Sequence, residues 1–429
     1  MVDDTIFALA SGSVRAAIAV MRISGPATGP VLAALCGGRL PEPRYAALRR
    51  LRDTDGLLLD HAIVLWLPGP GSYTGEDSAE LHLHGGHAVI EGVAAALAAS
   101  GLRPAEPGEF SRRAFLNGRM DLLEAEAVND LVAAETEAQR RQALRQLEGA
   151  LGDLYQDWAE RLCGILAYQE ALIDFPDEDL PPEVEAQLLD GLRAVRAEIA
   201  AHLDDAGRGE KLREGLFFAI TGAPNVGKST LINALAEREV AIVSEIPGTT
   251  RDALETRVVL GGVPVTLVDT AGLRETVDAI EAEGVRRALA RAQQADLVIV
   301  MVEAGAASPD MLPGALLVAN KADLGAPGPE GALRISALTG LGMDSLRATL
   351  ADAARRMTQA AGPPPLTRAR HRAALTEAAA HLTAAERAEL PELRGEDLRL
   401  AMRALGRITG HVGVEDILDA VFSRFCIGK

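Results

Sequence analysis

Apolar residues along the chain follow two periods, and the places where the period changes divide it. Over residues 1–118 short apolar runs, "AIAVMRI", "AIVLWL" and the alternating "AELHLH", predict strands, an Ala-rich stretch at 88–100 predicts a helix, and Pro/Gly turns separate them. Such a mixture predicts an α/β or α+β domain. From about residue 119 the pattern becomes helical, with Leu144, Leu147, Leu151, Leu154, Trp158, Leu162 and Ile165 at steps of three and four. That stripe predicts one long helix. "DFPDEDLPPEVE" (174–185) interrupts the pattern as a loop would, and more helix is predicted to about Arg213.

Strand-like runs return at "LFFAITG" (216–222), "TRVVLGGVPVTLVDT" (256–270), "ADLVIVMV" (295–302) and "GALLVANKAD" (314–323), alternating with helical segments. The Gly261-Gly262 pair between two β-rich runs predicts a tight hairpin, and the rest predicts βαβ units around a largely parallel sheet. "AGPPPL" (361–366) reads as a stiff linker, and 367–422 is helical again. The expected organisation is a multi-domain α/β chain: an α+β domain over 1–118, a helical domain in two pieces, 119–213 and 366–429, and an α/β domain over 214–358 inserted between them.

Composition narrows the class. With 48% hydrophobic residues in 429, the chain can bury roughly two to four cores. No window approaches the roughly 18 consecutive apolar residues of a membrane helix. "MVDDTIFALASGSVRAAIAVMRISG" has two acids where a signal peptide carries positive charge. A cytoplasmic protein without membrane contact is expected. Cys36, Cys163 and Cys426 are odd in number and widely spaced, which fits neither a disulfide framework nor a zinc site; Cys36 and Cys163 are expected to be small buried hydrophobes. A net charge of −18 argues against a protein that coats itself in nucleic acid. Basic clusters remain at 49–52, 112–113 and 368–372, and solvated arginine faces account for any one of them. Lysine occurs only at 211, 228, 321 and 429, so each lysine marks a place where a compact ammonium is wanted.

The chemistry is concentrated in the inserted domain. "GAPNVGKST" at 222–230 matches the phosphate-binding pattern G-x-x-x-x-G-K-S/T between a strand and a helix. Backbone amides from Gly222 through Asn225, Val226, Gly227 and Thr230 can cradle phosphates, Lys228 can reach the β- and γ-phosphates, and Ser229 can ligate Mg²⁺. "NKAD" follows a strand, where Asp323 can accept from guanine N1–H and the 2-amino group, a donor pair that adenine lacks. Asn320 and the Lys321 stem would flank the ring, with Ser336 and Ala337 completing the pocket. "DTAG" supplies Asp269, Thr270, Ala271 and Gly272, with Asp269 toward Mg²⁺ and the Gly272 amide toward the γ-phosphate. "GTTRD" offers Thr250 as a second Mg²⁺ ligand. This set resembles translation-factor-like GTPases. Leu273 stands where Ras-like enzymes place the water-orienting glutamine, leaving Arg251, Arg274, Glu275 and Glu281 as polar candidates. Asn225 can hold a monovalent cation beside the phosphates.

Taken end to end, the chain resembles the MnmE (TrmE) family of tRNA-modifying GTPases. The residues that carry this are "DTIFALA", "VMRISGP", "SYTGEDSAELHLHGGHAVI", "RPAEPGEFSRRAFLNGRMDLLEAEAVNDLV", "GAPNVGKSTLINAL", "AIVSEIPGTTRD", "DTAGLRET" and "CIGK". The resemblance implies a folate-binding N-terminal domain, a discontinuous helical domain and an inserted Ras-like P-loop G domain. It implies a homodimer whose G domains meet and hydrolyse GTP with Mg²⁺ and K⁺. It further implies a heterotetramer with MnmG, an FAD enzyme, that modifies C5 of the tRNA wobble uridine to a carboxymethylaminomethyl-type group. The one-carbon unit would come from 5,10-methylenetetrahydrofolate or a 5-formyl form. By position, Asn225, Ser244, Ile246 and Thr249 match the K⁺ ligands. Ser244, Glu245, Ile246, Pro247, Gly248, Thr249 and Thr250 form the loop around the nucleotide, and Glu281 matches the glutamate that orients water. Arg22, Glu80, Arg119 and Lys429 match the folate-site positions. Residue 119 is arginine where the family often has lysine, "SGSVRAA" replaces a glycine-rich turn, and the segment between "MVEAG" and "LLVANKAD" is trimmed.

Glu80, His82 and His84 are expected on one face of a strand, where the Glu80 carboxylate can pair with a pterin N3–H and 2-amino group. A metal site at His82, His84 and His87 is the rival use of the cluster. "FCIGK" fails as a prenylation box because Gly428 is not aliphatic, and Cys426 is either a packed or a reactive thiol. An Era-type ribosome-assembly GTPase and a purely regulatory GTPase share the G-domain motifs but not the 72–135 block.

Overall fold

The computed structural model describes residues 4–12, 16–174, 182–237, 255–269, 295–309, 311, 313–359, 364–410, 418, 421–423 and 425–428. The chain forms two compact units, one of residues 1–129, 147–159 and 402–429, the other of residues 130–146 and 160–401.

The first unit is built on a six-stranded sheet. Its strands are β1 (Ile6–Leu9), β2 (Ile18–Ser24), β3 (Ala47–Arg52), β4 (Leu58–Leu67), β5 (Ser78–His84) and β6 (Arg103–Pro104), in the order β3-β4-β5-β2-β1-β6. Pairing is antiparallel except for β6 along β1. Alternation puts Met21, Ile23, Val64, Trp66, Leu81 and Leu83 on one face, which packs on Leu32 and Leu35 of α1 (Thr28–Leu35) and Val93 and Leu97 of α2 (His87–Ala99). The opposite face carries Arg22, Glu80 and His82. At one end of it Phe110 of α3 (Glu109–Leu116) packs with Ile6, Ala8 and Tyr73. Elsewhere Ile18, Leu48 and Ile63 lie exposed on that face. Leu418, Val421, Phe422 and Phe425 pack on Leu122 and Ala125 of α4 (Leu122–Ala133).

The long helix expected through 144–165 is two helices, α5 (Glu137–Leu147) and α6 (Ala150–Asp174). Gly149, at φ +89°, takes a left-handed conformation between them. The apolar period runs across this break, so the stripe by itself does not reveal it.

The second unit holds α7 (Pro182–Leu203), α8 (Arg208–Glu214) and another six-stranded sheet. That sheet comprises β7 (Leu216–Gly222), β8 (Glu255–Leu260), β9 (Val263–Asp269), β10 (Leu297–Glu303), β11 (Leu316–Asn320) and β12 (Leu333–Arg334), in the order β12-β11-β10-β7-β9-β8. Only β8 is antiparallel, joined to β9 by the Gly261-Gly262 turn, in which both glycines have positive φ. α9 (Lys228–Ala236) and α10 (Met343–Thr358) supply Leu231, Leu235, Leu346 and Leu350 to its core. α11 (Ala369–Arg387) packs on α7, and α12 (Pro391–Thr409) follows. Arg213 and Arg368 both reach Asp130, at 3.1 and 2.7 Å. Cys163 is exposed on α6, not buried as expected, because its neighbours Leu162 and Ile165 take the inward positions of the turn. Cys36 is half-buried, and burial pushes its thiol pKa up.

Candidate functional site

In the second unit β7 delivers the chain into a loop whose shape is set by its glycines. At Gly222 (φ +147°) a Cβ would stand 2.4 Å from the Met301 carbonyl oxygen, and at Gly227 (φ +100°) 2.3 Å from Asn320 Nδ2. Asn225 also has positive φ, +63°. This backbone turns into the start of α9, and a helix N-terminus favours anions. Lys228 is buried at the first helical position and donates to the carbonyls of Gly222 (3.2 Å) and Ala223 (3.0 Å). Its ammonium therefore lies within the loop. Ser229 Oγ donates to Asp269 Oδ2 at 3.1 Å, bringing a hydroxyl and a carboxylate together as a hard oxygen pair of the kind Mg²⁺ takes.

Asn320 ties this loop to the base-side elements. Its Nδ2 donates to the Val226 carbonyl (2.8 Å) and its Oδ1 accepts from Ala337 N (3.0 Å). Buried and doubly bonded, Asn320 braces the phosphate loop against the 336–337 segment. Lys321, in the left-handed region at φ +64°, pairs with Glu303. Asp323 is exposed on the single turn Ala322–Leu324, and Ala322 N holds that turn to Ile335 O at 2.9 Å. Ser336 and Ala337 are buried beside it. Ser244, Glu245, Ile246, Pro247, Gly248, Thr249, Thr250, Arg251, Thr270, Ala271, Gly272, Arg274, Glu275 and Glu281 lie outside the described residues, as does Lys429.

The first unit gathers a different site on the open face of its sheet. Register pairs Arg22 with Glu80, and Arg22 donates from Nε (3.2 Å) and Nη2 (2.9 Å) to the same oxygen, Glu80 Oε1. The guanidinium lies between two rings, 5.3 Å from the centroid of Tyr73 and 5.7 Å from that of Phe110. Glu80 Oε2 is left with His82 Nε2 at 3.6 Å, beyond hydrogen-bond reach, and that buried nitrogen has no hydrogen bond. Tyr73 is fixed by a bond from its hydroxyl to Ser111 Oγ (2.8 Å), and burial raises its phenol pKa so that it stays neutral. The loop that carries it is pinned by Ser24 Oγ to Thr74 Oγ1 (2.7 Å) and to Glu76 Oε2 (2.8 Å), and by Asn117 Nδ2 to Thr74 O (2.8 Å). Exposed Arg119 lays its stem against the same loop at Gly75, where a Cβ would meet Arg119 Cγ at 3.1 Å.

Beneath this loop Arg113, 2% exposed, binds Asp4 (2.7 Å), Glu109 (3.0 Å) and Glu76 (3.3 Å). Burial acts to raise Asp4 and Glu109, but hydrogen bonds from Arg103 and Arg113 outweigh it and hold both carboxyls below the usual range. The chain's last described residues return to the same unit. Gly108 N donates to Cys426 O at 3.4 Å, and Gly428 (φ +97°) is buried where a Cβ would come 2.3 Å from Leu9 O. Leu9 pairs with Met21, next to Arg22. Cys426 is exposed.

Sequence reasoning found Arg22, Glu80 and Arg119 but not Tyr73 or Phe110. Tyr73 lies in a loop and Phe110 on the short, mostly polar helix α3, and the polar "SYTGED" around Tyr73 is the signal that could have been used. The three histidines do not converge. His82 is beside Glu80, His84 Nδ1 bonds Asp60 at 2.7 Å, and His87 meets Glu91 at 3.2 Å. Among the described residues no group of three or more His, Cys, Asp or Glu is arranged to hold a metal, and no helix is long and apolar enough to cross a membrane.

Family models match both regions. One described as "GTP-binding protein TrmE N-terminus" matches residues 5–119, and one described as "MnmE helical domain" matches residues 122–426. The tRNA modification GTPase MnmE of Gluconacetobacter diazotrophicus is 65% identical over 431 residues, covering 99% of this chain and 98% of that protein. Its namesake in Granulibacter bethesdensis is 58% identical over 100% of both chains. Among solved structures, a variant of Aquifex aeolicus Era bound to GDP and AlF4⁻ aligns with 41% of this chain and 69% of its own, at 24% identity and a TM-score of 0.26. A phosphate-binding loop with its guanine-side turn, in a chain matched nearly end to end, leaves one assignment: the chain belongs to the MnmE (TrmE) family of tRNA modification GTPases.

Proposed function

We propose that the open face of the N-terminal sheet binds a reduced folate, and that the protein uses the one-carbon unit to modify C5 of the tRNA wobble uridine. The product is an aminomethyl or carboxymethylaminomethyl group, made in the cytoplasm together with an FAD-dependent partner of the MnmG type. The observation that carries this reading is the Arg22–Glu80 pair held between Tyr73 and Phe110. A planar heterocycle with adjacent N–H and amino donors is the ligand such a carboxylate suits, and the fixed guanidinium offers its remaining N–H groups to a ring oxygen. Arg119 and the tail that ends in Lys429 supply positive charge for the folate glutamate, and Gly428 seats that tail at the end of β1.

GTP hydrolysis would open and close a homodimer rather than form the carbon–carbon bond. Lys228 and the loop amides hold the phosphates, Ser229 and Thr250 ligate Mg²⁺ with Asp269 beside them, and Asp323 reads guanine. Asn225, Ser244, Ile246 and Thr249 hold K⁺, which supplies the positive charge that an arginine finger gives elsewhere. Glu281 orients the water, and Arg251 and Arg274 lie in the loops around it. The exposed apolar residues Ile18, Leu48 and Ile63 on the sheet face offer a surface for a second copy.

Calorimetry with 5-formyltetrahydrofolate tests the folate reading: saturable binding that weakens in Glu80→Gln is expected, and no heat with the intact protein would sink it. GTP turnover in KCl is expected to exceed that in NaCl, with Asn225→Ala removing the difference; equal rates in the two salts for the intact protein would remove the K⁺ role.

A further inference from the structure

The N-terminal sheet carries a second arrangement of titratable side chains that the folate reading does not use. Asp60 of β4 has a side chain only 7% exposed, and three donors converge on it. His61 N donates to Oδ1 at 2.7 Å, His84 N to Oδ2 at 2.9 Å, and His84 Nδ1 meets Oδ1 at 2.7 Å. Burial acts to raise this carboxyl, but the hydrogen bonds from His84 and His61 outweigh it, and Asp60 is held below the usual range. A charged carboxylate at Nδ1 requires that nitrogen to carry the proton. The basic nitrogen of the ring is then Nε2.

The His84 side chain is 72% exposed, and among the described residues Nε2 has no hydrogen-bond partner. Two backbone amides already satisfy Asp60, and an exposed ring buries little area, so the strand end does not need the imidazole for stability. It does hold the imidazole firmly. Gly85 N donates to Ala17 O at 3.2 Å, and a Cβ at Gly85 would fall 2.0 Å from Ala16 O, so the backbone leaving His84 is pressed against the chain entering β2. A buried carboxylate that fixes the tautomer of a solvent-facing histidine is the arrangement of a general base and its orienting group.

His84 lies on the same face of β5 as Glu80 and His82, about 13 Å beyond Glu80 at the usual strand rise. Exposed Ile18 is its register partner on β2. Besides Asp60, the neighbouring strands bring His61 of β4 and, opposite it in register, Arg50 of β3. At that distance the imidazole does not reach a pterin paired with Glu80. The ring is 72% exposed, so a second substrate coming from solvent would meet it directly.

We propose that His84, oriented by Asp60, is the proton acceptor for a small amine co-substrate. This rests on the folate reading, in which an aminomethyl group is made and an amine nitrogen must attack a one-carbon unit. An ammonium has no lone pair with which to attack. One N–H bond breaks, its electron pair stays on the amine nitrogen, and the proton passes to Nε2, giving an imidazolium whose charge Asp60 offsets. The imidazolium returns the proton to solvent. Asp60 acts through His84 and is a positioning residue.

The test uses the full chain with its flavoprotein partner, tRNA, reduced folate and either glycine or ammonium. His84→Ala is expected to lower aminomethyl formation about 100-fold, within the range of a lost general base, with folate affinity and GTP turnover unchanged. Added imidazole should restore at least about tenfold of the loss, which a structural role would not allow. Asp60→Asn should lower the rate less. Nitrogen-15 spectra of the intact protein should show His84 protonated on Nδ1. A wild-type modification rate in His84→Ala, loss of folate binding together with modification, absence of imidazole rescue, or an Nε2–H tautomer would each overturn the assignment. If the intact protein binds no reduced folate, the folate reading falls first and takes this step with it; if it binds and His84→Ala is fully active, only the proton role fails.

Discussion

The two candidate sites are made from different materials. The nucleotide loop depends on its backbone: Gly222, Asn225 and Gly227 take positive φ to make the turn, and Lys228, Ser229 and Asp269 add side-chain chemistry. The N-terminal site is side chain: Arg22, Tyr73, Glu80 and Phe110 come from two strands, a loop and a helix, and meet only through β2–β5 register and the pinned 72–76 loop. A site of the first kind is compact in sequence and depends on steric limits at single glycines. A site of the second kind is dispersed, and its precision depends on the polar network beneath it.

The sharpest way to break the second kind without touching the first is Arg113→Met. It leaves Asp4, Glu76 and Glu109 without their shared cation, at an expected cost of about 3–5 kcal/mol in the first unit. Two separated thermal transitions, with only the lower-temperature one shifted, would show it; a single unshifted transition would show the network to be dispensable. The reciprocal change, Lys228→Ala, is expected to lower GTP turnover by about 100-fold or more, as loss of a charge at a phosphoryl transition state does, while 5-formyltetrahydrofolate binding is retained. Loss of both together would mean that the sites are not separable. Tyr73→Ala removes one wall of the Arg22 clamp and is expected to weaken folate binding by about tenfold, with Tyr73→Phe milder because only the bond to Ser111 is lost.

Acid sharpens the same contrast by a smaller amount. Asp4, Glu109 and Asp60 in the first unit have depressed pKa values. Their stabilisation is complete above the ordinary carboxylate range, about pH 4, and is lost as pH falls through their lowered values. Glu135 in the second unit is shifted the other way, raised by burial against the lowering from Arg257 at 2.9 Å. Its protonation on acidification relieves a cost. The first unit is therefore expected to melt before the second in a pH titration below about 4, followed by tryptophan fluorescence and hydrogen exchange; simultaneous loss would contradict the assignment. Least of all, Glu137→Gln should leave the melting temperature unchanged, since its partners Arg140 and Arg141 are exposed with it.

How legible each part was follows from the same distinction. β7, β10 and the Gly261-Gly262 hairpin could be read because buried strands need continuous apolar runs and the turn needs residues tolerant of positive φ. Gly149 could not be weighed, since an apolar stripe at steps of three and four passes unbroken over a single left-handed residue. Cys163 was misplaced for a related reason: its composition suits the interior, but its position on the turn of α6 points outward. Asn320 shows the limit at a recognised motif. "NKAD" is legible as a pattern, but that the Asn320 amide braces Val226 against Ala337 depends on how β11 meets the phosphate loop.

From sequence alone came the phosphate loop between a strand and a helix, the Gly261-Gly262 hairpin and the placing of Glu80 on its face of β5. Each is local, set by the torsional freedom of a few residues or by a two-residue period. Tertiary structure decided the rest: that Arg22 is clamped between Tyr73 and Phe110, that Asp60 fixes the His84 ring, and that Gly428 seats the tail against Leu9. These depend on which strands become neighbours and in what register, and a one-residue slip of its strand would turn Arg22, Asp60 or His84 to the opposite face.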